Sequence, residues 1–192
     1  ILQRMDEALV HGKLALELDP KNPLILTLYS TLLKGDGQHE AALEYIERAL
    51  AIDPDHSFTQ GQLGRVLYTT GQYEKELVRQ EDYLAQKLGR QKVPDLVSFY
   101  WEHGRRAAYQ EVVRLREIYA AELGYGPGAR SYYRAEAFKK ALDELEKALE
   151  VRNPNLPYIG TGTRFEALHD SSRFLAILDS MNLPHPLKHK NP

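Results

Sequence analysis

The residues of this 192-residue chain that could do chemistry are its seven histidines, its 27 carboxylates and its glycine clusters. A zinc or metallohydrolase centre needs imidazoles at ligand spacing, as in H-x-x-x-H or H-E-x-x-H, and neither pattern occurs. His39 and His56 lie near turns, His103 beside Gly104, and His185 and His189 in the C-terminal tail, so surface positions account for them. "GYGPG" and "YIGTGT" are glycine-rich but are not G-x-x-x-x-G-K-[ST] and follow no predicted strand; they read as joints rather than phosphate cradles. "SSR" at 171–173 opens a helix and would suit an anion there, but helix capping alone explains it. No nucleophile, base and orienting group stand at recognisable spacing. A hydrolase would require Glu102, His103 and a further acid to converge in the fold. With no cysteine, disulfide and thiolate chemistry is excluded. The chain is therefore expected to be no enzyme, with no catalytic residue, no metal and no cofactor.

The bulk composition narrows the partners. A formal charge of −2 with both signs interspersed offers no net attraction to a nucleic acid backbone or an anionic membrane surface. No apolar run approaches the roughly 20 residues that span a bilayer. The start "ILQRMDEALV" has no initiator Met and no signal-peptide pattern, so the chain reads as a fragment of something longer, with a cytoplasmic setting expected. Acid and base runs such as "KKALDELEKALE" pair opposite charges at helical spacing, as a solvated helix face does.

What positions all of these residues is a repeat. "ALELDPKNP" at 15–23 returns as "ALAIDPDHS" at 49–57, pairing Ala8 with Ala42, Ala15 with Ala49 and Pro20 with Pro54, each 34 residues apart. Ala42, Leu43, Ile46, Ala49 and Leu50 fall on one helix face, and the two alanines let an antiparallel helix approach closely. Leu26, Tyr29, Leu32 and Leu33 form a second stripe over 23–34, "GDGQ" is a turn, and Pro54 marks the helix exit because it has no amide hydrogen to donate. Another step of 34 carries Gly37 onto Gly71. In that unit Leu63, Gly64 and Leu67 lie on the first helix and Leu77 and Tyr83 on the second. Glu76 and Tyr83 stand where the earlier unit has alanine, so different packing is expected there. A fourth unit reads as helix from Pro94 in its first turn, a turn at Gly104, and helix over 105–122. After the joint "GYGPGARS" (124–131), Ala141, Leu142, Leu145, Ala148 and Leu149 repeat the second-helix spacing. One long helix over 131–151, or a repeat whose turn has lost its glycine, is expected.

These positions resemble the tetratricopeptide repeat over about residues 6–122, with 23–56 matching throughout and 57–90 in its first helix. The tail resembles the closing segment of such arrays in bacterial signalling proteins: winged-helix regulators, serine/threonine kinases and nucleotide cyclases. Pro157–Tyr158, Phe165, Asp170, Arg173–Phe174, Leu178 and Leu183–Pro184 carry that likeness. Asp170 or Ser171 would cap a helix whose Phe174, Ile177, Leu178 and Met181 face the last repeat, since the end of a solenoid needs a plug.

The resemblance implies an all-α, right-handed helix–turn–helix solenoid with a capping helix: repeats over 1–123, the first truncated; long helix, loop and cap over 124–184; and a disordered tail over 185–192. It implies a concave groove lined by first helices, with Thr27, Thr31 and Lys34, then Arg65, Tyr68 and Thr69, then Ser98, Trp101 and Glu102. The lone Trp101 is either a groove anchor or core under the Gly/Pro joint. The Lys and Asn clamp by which some repeats grip a C-terminal carboxylate is not reproduced, since Thr27, Thr31, Gly61 and Arg65 hold those places. The function implied is a non-catalytic module that binds a protein or peptide. The alternative is the sensory or regulatory arm of a bacterial signalling protein whose effector domain lies upstream. The irregular third repeat and the open first edge would both admit contacts with a second copy, so a homo-oligomer is allowed.

Overall fold

A computed structural model describes residues 4–160 and 164–186. Parts of two expectations, the "YIGTGT" joint at 161–163 and the tail at 187–192, lie outside the described residues. The described residues contain ten α-helices and no strand. They form two compact units, one built on the chain up to Gln72 and the other from Tyr73 onward. The division falls in the turn at Gly71, ahead of the Gly/Pro joint.

The first unit holds α1 (Met5–Leu18), α2 (Pro23–Gly35), α3 (His39–Ile52) and α4 (Ser57–Thr69). Helix α2 starts where the sequence supplies a cap: Asn22 Oδ1 accepts from the amides of Leu24 (3.0 Å) and Ile25 (3.3 Å), and Pro23 occupies the first turn. It packs on α1, α3 and α4. Ala42 and Ala49, both fully buried, lie in the α3 face: Ala42 and Ile46 join Leu33 and Val66, and Ala49 joins Leu16 and Leu26. Where α3 has Ile46, α1 has Gly12. A Cβ there would come within 2.7 Å of the Tyr29 ring, so the missing side chain is what lets α1 and α2 close up.

Two turns of this pattern close alike. The Gln38 amide donates to Leu33 O (2.9 Å) and the Gln72 amide to Leu67 O (2.8 Å), around Gly37 (φ 84°) and Gly71 (φ 74°). Of the two forms expected for 131–151, the structure adopts the repeat with a lost glycine. Helices α8 (Ala129–Arg134) and α9 (Phe138–Glu150) are joined by the same closure, Ala137 N to Tyr132 O (2.9 Å), around Glu136 at φ 56°. The left-handed backbone at a non-glycine residue costs energy. The Glu136 carboxylate also accepts a hydrogen bond from Arg105 (2.7 Å).

The second unit otherwise comprises α5 (Tyr73–Leu88), α6 (Leu96–Ile118), α7 (Ala120–Leu123) and α10 (Ser172–Ser180). Helix α6 is broken at Gly104 (φ 83°, ψ 170°), where the turn of the fourth unit is expected. Pro94 precedes its cap rather than entering the first turn: Asp95 Oδ1 accepts from Ser98 N (2.8 Å), and the residue before a cap is outside the helix. Glu76 is indeed the departure from the alanine pattern. It is fully buried, accepting from the Tyr109 hydroxyl (2.9 Å), Arg134 (2.5 Å) and Gln80 (2.7 Å).

Helix α10 packs on α9 as the plug expected, burying Phe174, Ile177 and Leu178. Ser171 stands at its N-cap, but the expected side-chain capping hydrogen bond is not made. The cap is tied instead by Arg173, which donates to Asp143 (2.7 Å) and to both oxygens of Glu146 (2.8 and 2.7 Å). These bonds hold both carboxyls below their ordinary values of 3.8 and 4.5. A lowered folded-state value means the contribution is present above the unfolded pKa and is lost as pH falls through the folded one. Amide exchange in α10 is therefore expected to accelerate, relative to α2, as pH drops from about 5 to below 3, and Arg173→Ala should abolish that pH dependence. An unchanged pH profile in the variant would show that the pairs do not hold the cap.

Candidate interaction surfaces

The α2–α3 hairpin of the first unit turns one face of its first helix away from the second helix. On α2, Leu26 and Leu33 point into the α3 side, so at 100° per residue Leu24 and Leu28 point the opposite way. They are 47% and 48% exposed, and Phe58, one repeat on from Leu24, is 37% exposed. Thr31, Arg65, Tyr68 and Thr69 are half-buried on the same two helices. The Thr31 hydroxyl is turned back onto Thr27 O (3.1 Å) and that of Thr69 onto Arg65 O (2.9 Å).

Two of the expected groove residues are corrected by burial. Thr27 is fully buried: its Oγ1 lies 2.6 Å from Thr59 Oγ1 and donates to Pro23 O at 2.7 Å. Lys34 is 8% exposed and reaches Gln62 Oε1 at 3.4 Å. Both side chains are taken up in a polar seam between α2 and α4, where His56 Nδ1 also meets Thr59 Oγ1 (2.7 Å). The reason is register. The face that one first helix offers the next lies about a quarter turn from the open face, and a residue-type pattern does not separate them. Leu24, Leu28 and Phe58 are the surface residues that the sequence reading missed. Their signal was an apolar residue outside the core stripe of a first helix, repeated at Leu24 and Phe58, 34 residues apart.

In the second unit the first half of α6 carries the other three expected residues. Trp101 is 67% exposed, which decides against a core role, and its ring lies 5.3 Å from that of Tyr100. Ser98 is exposed, but its hydroxyl donates to Asp95 (2.9 Å) in the cap. Glu102 lies 3.8 Å from His103 Nδ1, with both side chains at least half exposed. His103 also stacks on Phe99 at 4.3 Å. Among the described residues no group of three or more His, Cys, Asp or Glu side chains is gathered as a metal would need. None of their helices is long and apolar enough to cross a membrane. What these surfaces offer chemically is aliphatic and aromatic area beside hydrogen-bonding groups, the composition of a binding face.

Comparison with known proteins agrees with this geometry. Residues 25–56, the α2–α3 hairpin, match the tetratricopeptide repeat family. The chain is similar to the Vi polysaccharide export protein VexE of Salmonella typhi, 34% identical over 67 residues, which is 35% of this chain and 10% of that protein. It is also similar to the small glutamine-rich tetratricopeptide repeat-containing protein 2 of Mycosarcoma maydis, 31% identical over 65 residues, covering 34% of this chain and 18% of that one. The chain thus spans less than a fifth of the length of either relative.

Proposed function

We propose that this stack of tetratricopeptide-repeat hairpins is a non-catalytic module that binds a protein or peptide segment through the open faces of its first helices. The observation that carries the reading is the exposure of Trp101, the chain's only tryptophan, on the first half of α6. A large aromatic side chain left in water adds little to the stability of the fold, and Trp is among the residues that most often anchor interfaces. Leu24, Leu28 and Phe58 repeat the feature in the first unit. An extended segment laid along such faces would place apolar side chains against them, with Arg65 and Thr69 at hand for its polar groups.

Selection of a displayed peptide library on the chain, followed by affinity measurement with the selected peptides, tests this. Trp101→Ala, or Leu24→Ser with Leu28→Ser, is expected to weaken binding of peptides selected on the corresponding unit by about 30-fold, the size of an anchor residue. Thermal stability should be nearly unchanged for Trp101→Ala and modestly lowered for the double serine variant, whose leucines are half-buried, so binding is compared where all variants are folded. Selection of no peptide above background, or equal binding by all variants, would remove these faces from consideration.

A further inference from the structure

One apolar surface belongs to neither the core nor these open faces. Val10, Leu14 and Leu18 of α1 are 66%, 51% and 80% exposed. Spaced four residues apart, they form a single stripe about 12 Å long on the side of α1 opposite Gly12, which is pressed against α2. Their counterparts one repeat later are Glu44, Arg48 and Ile52, and all three are exposed although α3 has both α2 and α4 packed against it. A further hairpin stacked ahead of α1 would therefore leave the stripe in water, just as the neighbours of α3 leave its equivalent there. Where α3 has two charged residues and one apolar one, α1 has three aliphatic ones.

We infer that this stripe is a self-association surface: α1 pairs with α1 of a second copy, antiparallel, about a twofold axis at Leu14. The charges beside the stripe favour that occupant. Lys13 and Glu17 are both exposed on one flank, four residues apart. Antiparallel pairing sets Leu14 on Leu14 and Val10 on Leu18 of the other copy. It also brings Lys13 of each copy beside Glu17 of the other, two complementary contacts from one symmetric arrangement. Three aliphatic residues per copy make a small interface, so the pair is a weak one, with a dissociation constant on the order of tens of micromolar. The pairing is independent of the peptide-binding reading, because it uses the far side of α1.

Because the chain has no cysteine, single cysteines report the geometry directly. Under mild oxidation of the full chain, Leu14→Cys is expected to form a disulfide-linked dimer. Val10→Cys and Leu18→Cys should do so poorly alone and readily when mixed. Sedimentation equilibrium of the unmodified chain should show an average mass that rises above 22.0 kDa with concentration. Leu14→Glu should hold it at the monomer. Lys13→Glu should weaken the dimer several-fold, and Lys13→Glu with Glu17→Lys should restore it. A chain that stays monomeric up to about 1 mM, far above the constant expected for so small an interface, would overturn self-association and leave the stripe to a different occupant. So would a Leu14→Glu variant that dimerises as strongly as the parent. Equal self-linking by all three cysteine variants would overturn the antiparallel arrangement.

Discussion

Glu76→Ala is expected to destabilise the second unit by about 3–5 kcal/mol, the largest loss among these substitutions. Glu76 stands where the α3 hairpin has Ala42, at the closest approach of two helices, and it is fully buried. Removing it does more than leave a void. Arg134, 8% exposed, would lose the carboxylate it donates to, and so would the hydroxyl of Tyr109. Taking the carboxylate from beside a buried cation costs more than the pair itself stabilises, because desolvation is then less fully offset. The triple variant Glu76→Leu, Tyr109→Phe, Arg134→Leu removes all three polar groups together and is expected to recover to within about 2 kcal/mol of the parent. Urea unfolding followed by amide exchange in α5, α6 and α8 would measure both. A Glu76→Ala loss below about 1 kcal/mol would mean that the network does not hold these helices together.

Phe174→Ala comes next, at about 3–5 kcal/mol. The ring is fully buried, 6.3 Å from Phe165 and 5.5 Å from His169, and Phe165 in turn stands edge-on to Tyr133 at 5.2 Å. This aromatic chain joins α10 to the loop before it and to α8. Without Phe174 the plug should lift from α9 and expose Ile177 and Leu178 of its own buried face, giving dye-detectable apolar surface and a tendency to aggregate. Arg173→Ala, one residue away but part-exposed, should have a much smaller effect at neutral pH, because its ion pairs are screened by solvent. If the two variants were equally mild, α10 would be an appendage rather than a plug.

Helix existence and punctuation were legible because they are local. Pro54, the glycines at 37 and 71 and the alanines at 42 and 49 each act through neighbours a few residues away, or through a helix joined by a short turn. The turn at Glu136 was half legible. Its spacing was visible, but the glycine that marks the other turns is replaced by a glutamate, whose partner Arg105 lies 31 residues earlier in the chain. Thr27 and Lys34 were read as open because their positions differ by a fraction of a helical turn from those that face water.

The sequence by itself determined the α2–α3 hairpin, the 34-residue count, the plug and the absence of spaced catalytic or metal-binding motifs, since periodicity and turn chemistry are encoded within one or two helices. Tertiary packing alone decided which first-helix residues meet water, that Trp101 is a surface side chain, and that Glu76 finds Arg134 58 residues away. The physical reason is that burial belongs to a pair of surfaces. A residue's type and its place on a helix wheel say which way it points, while the element arriving from elsewhere in the chain determines whether that direction leads to solvent or to a partner.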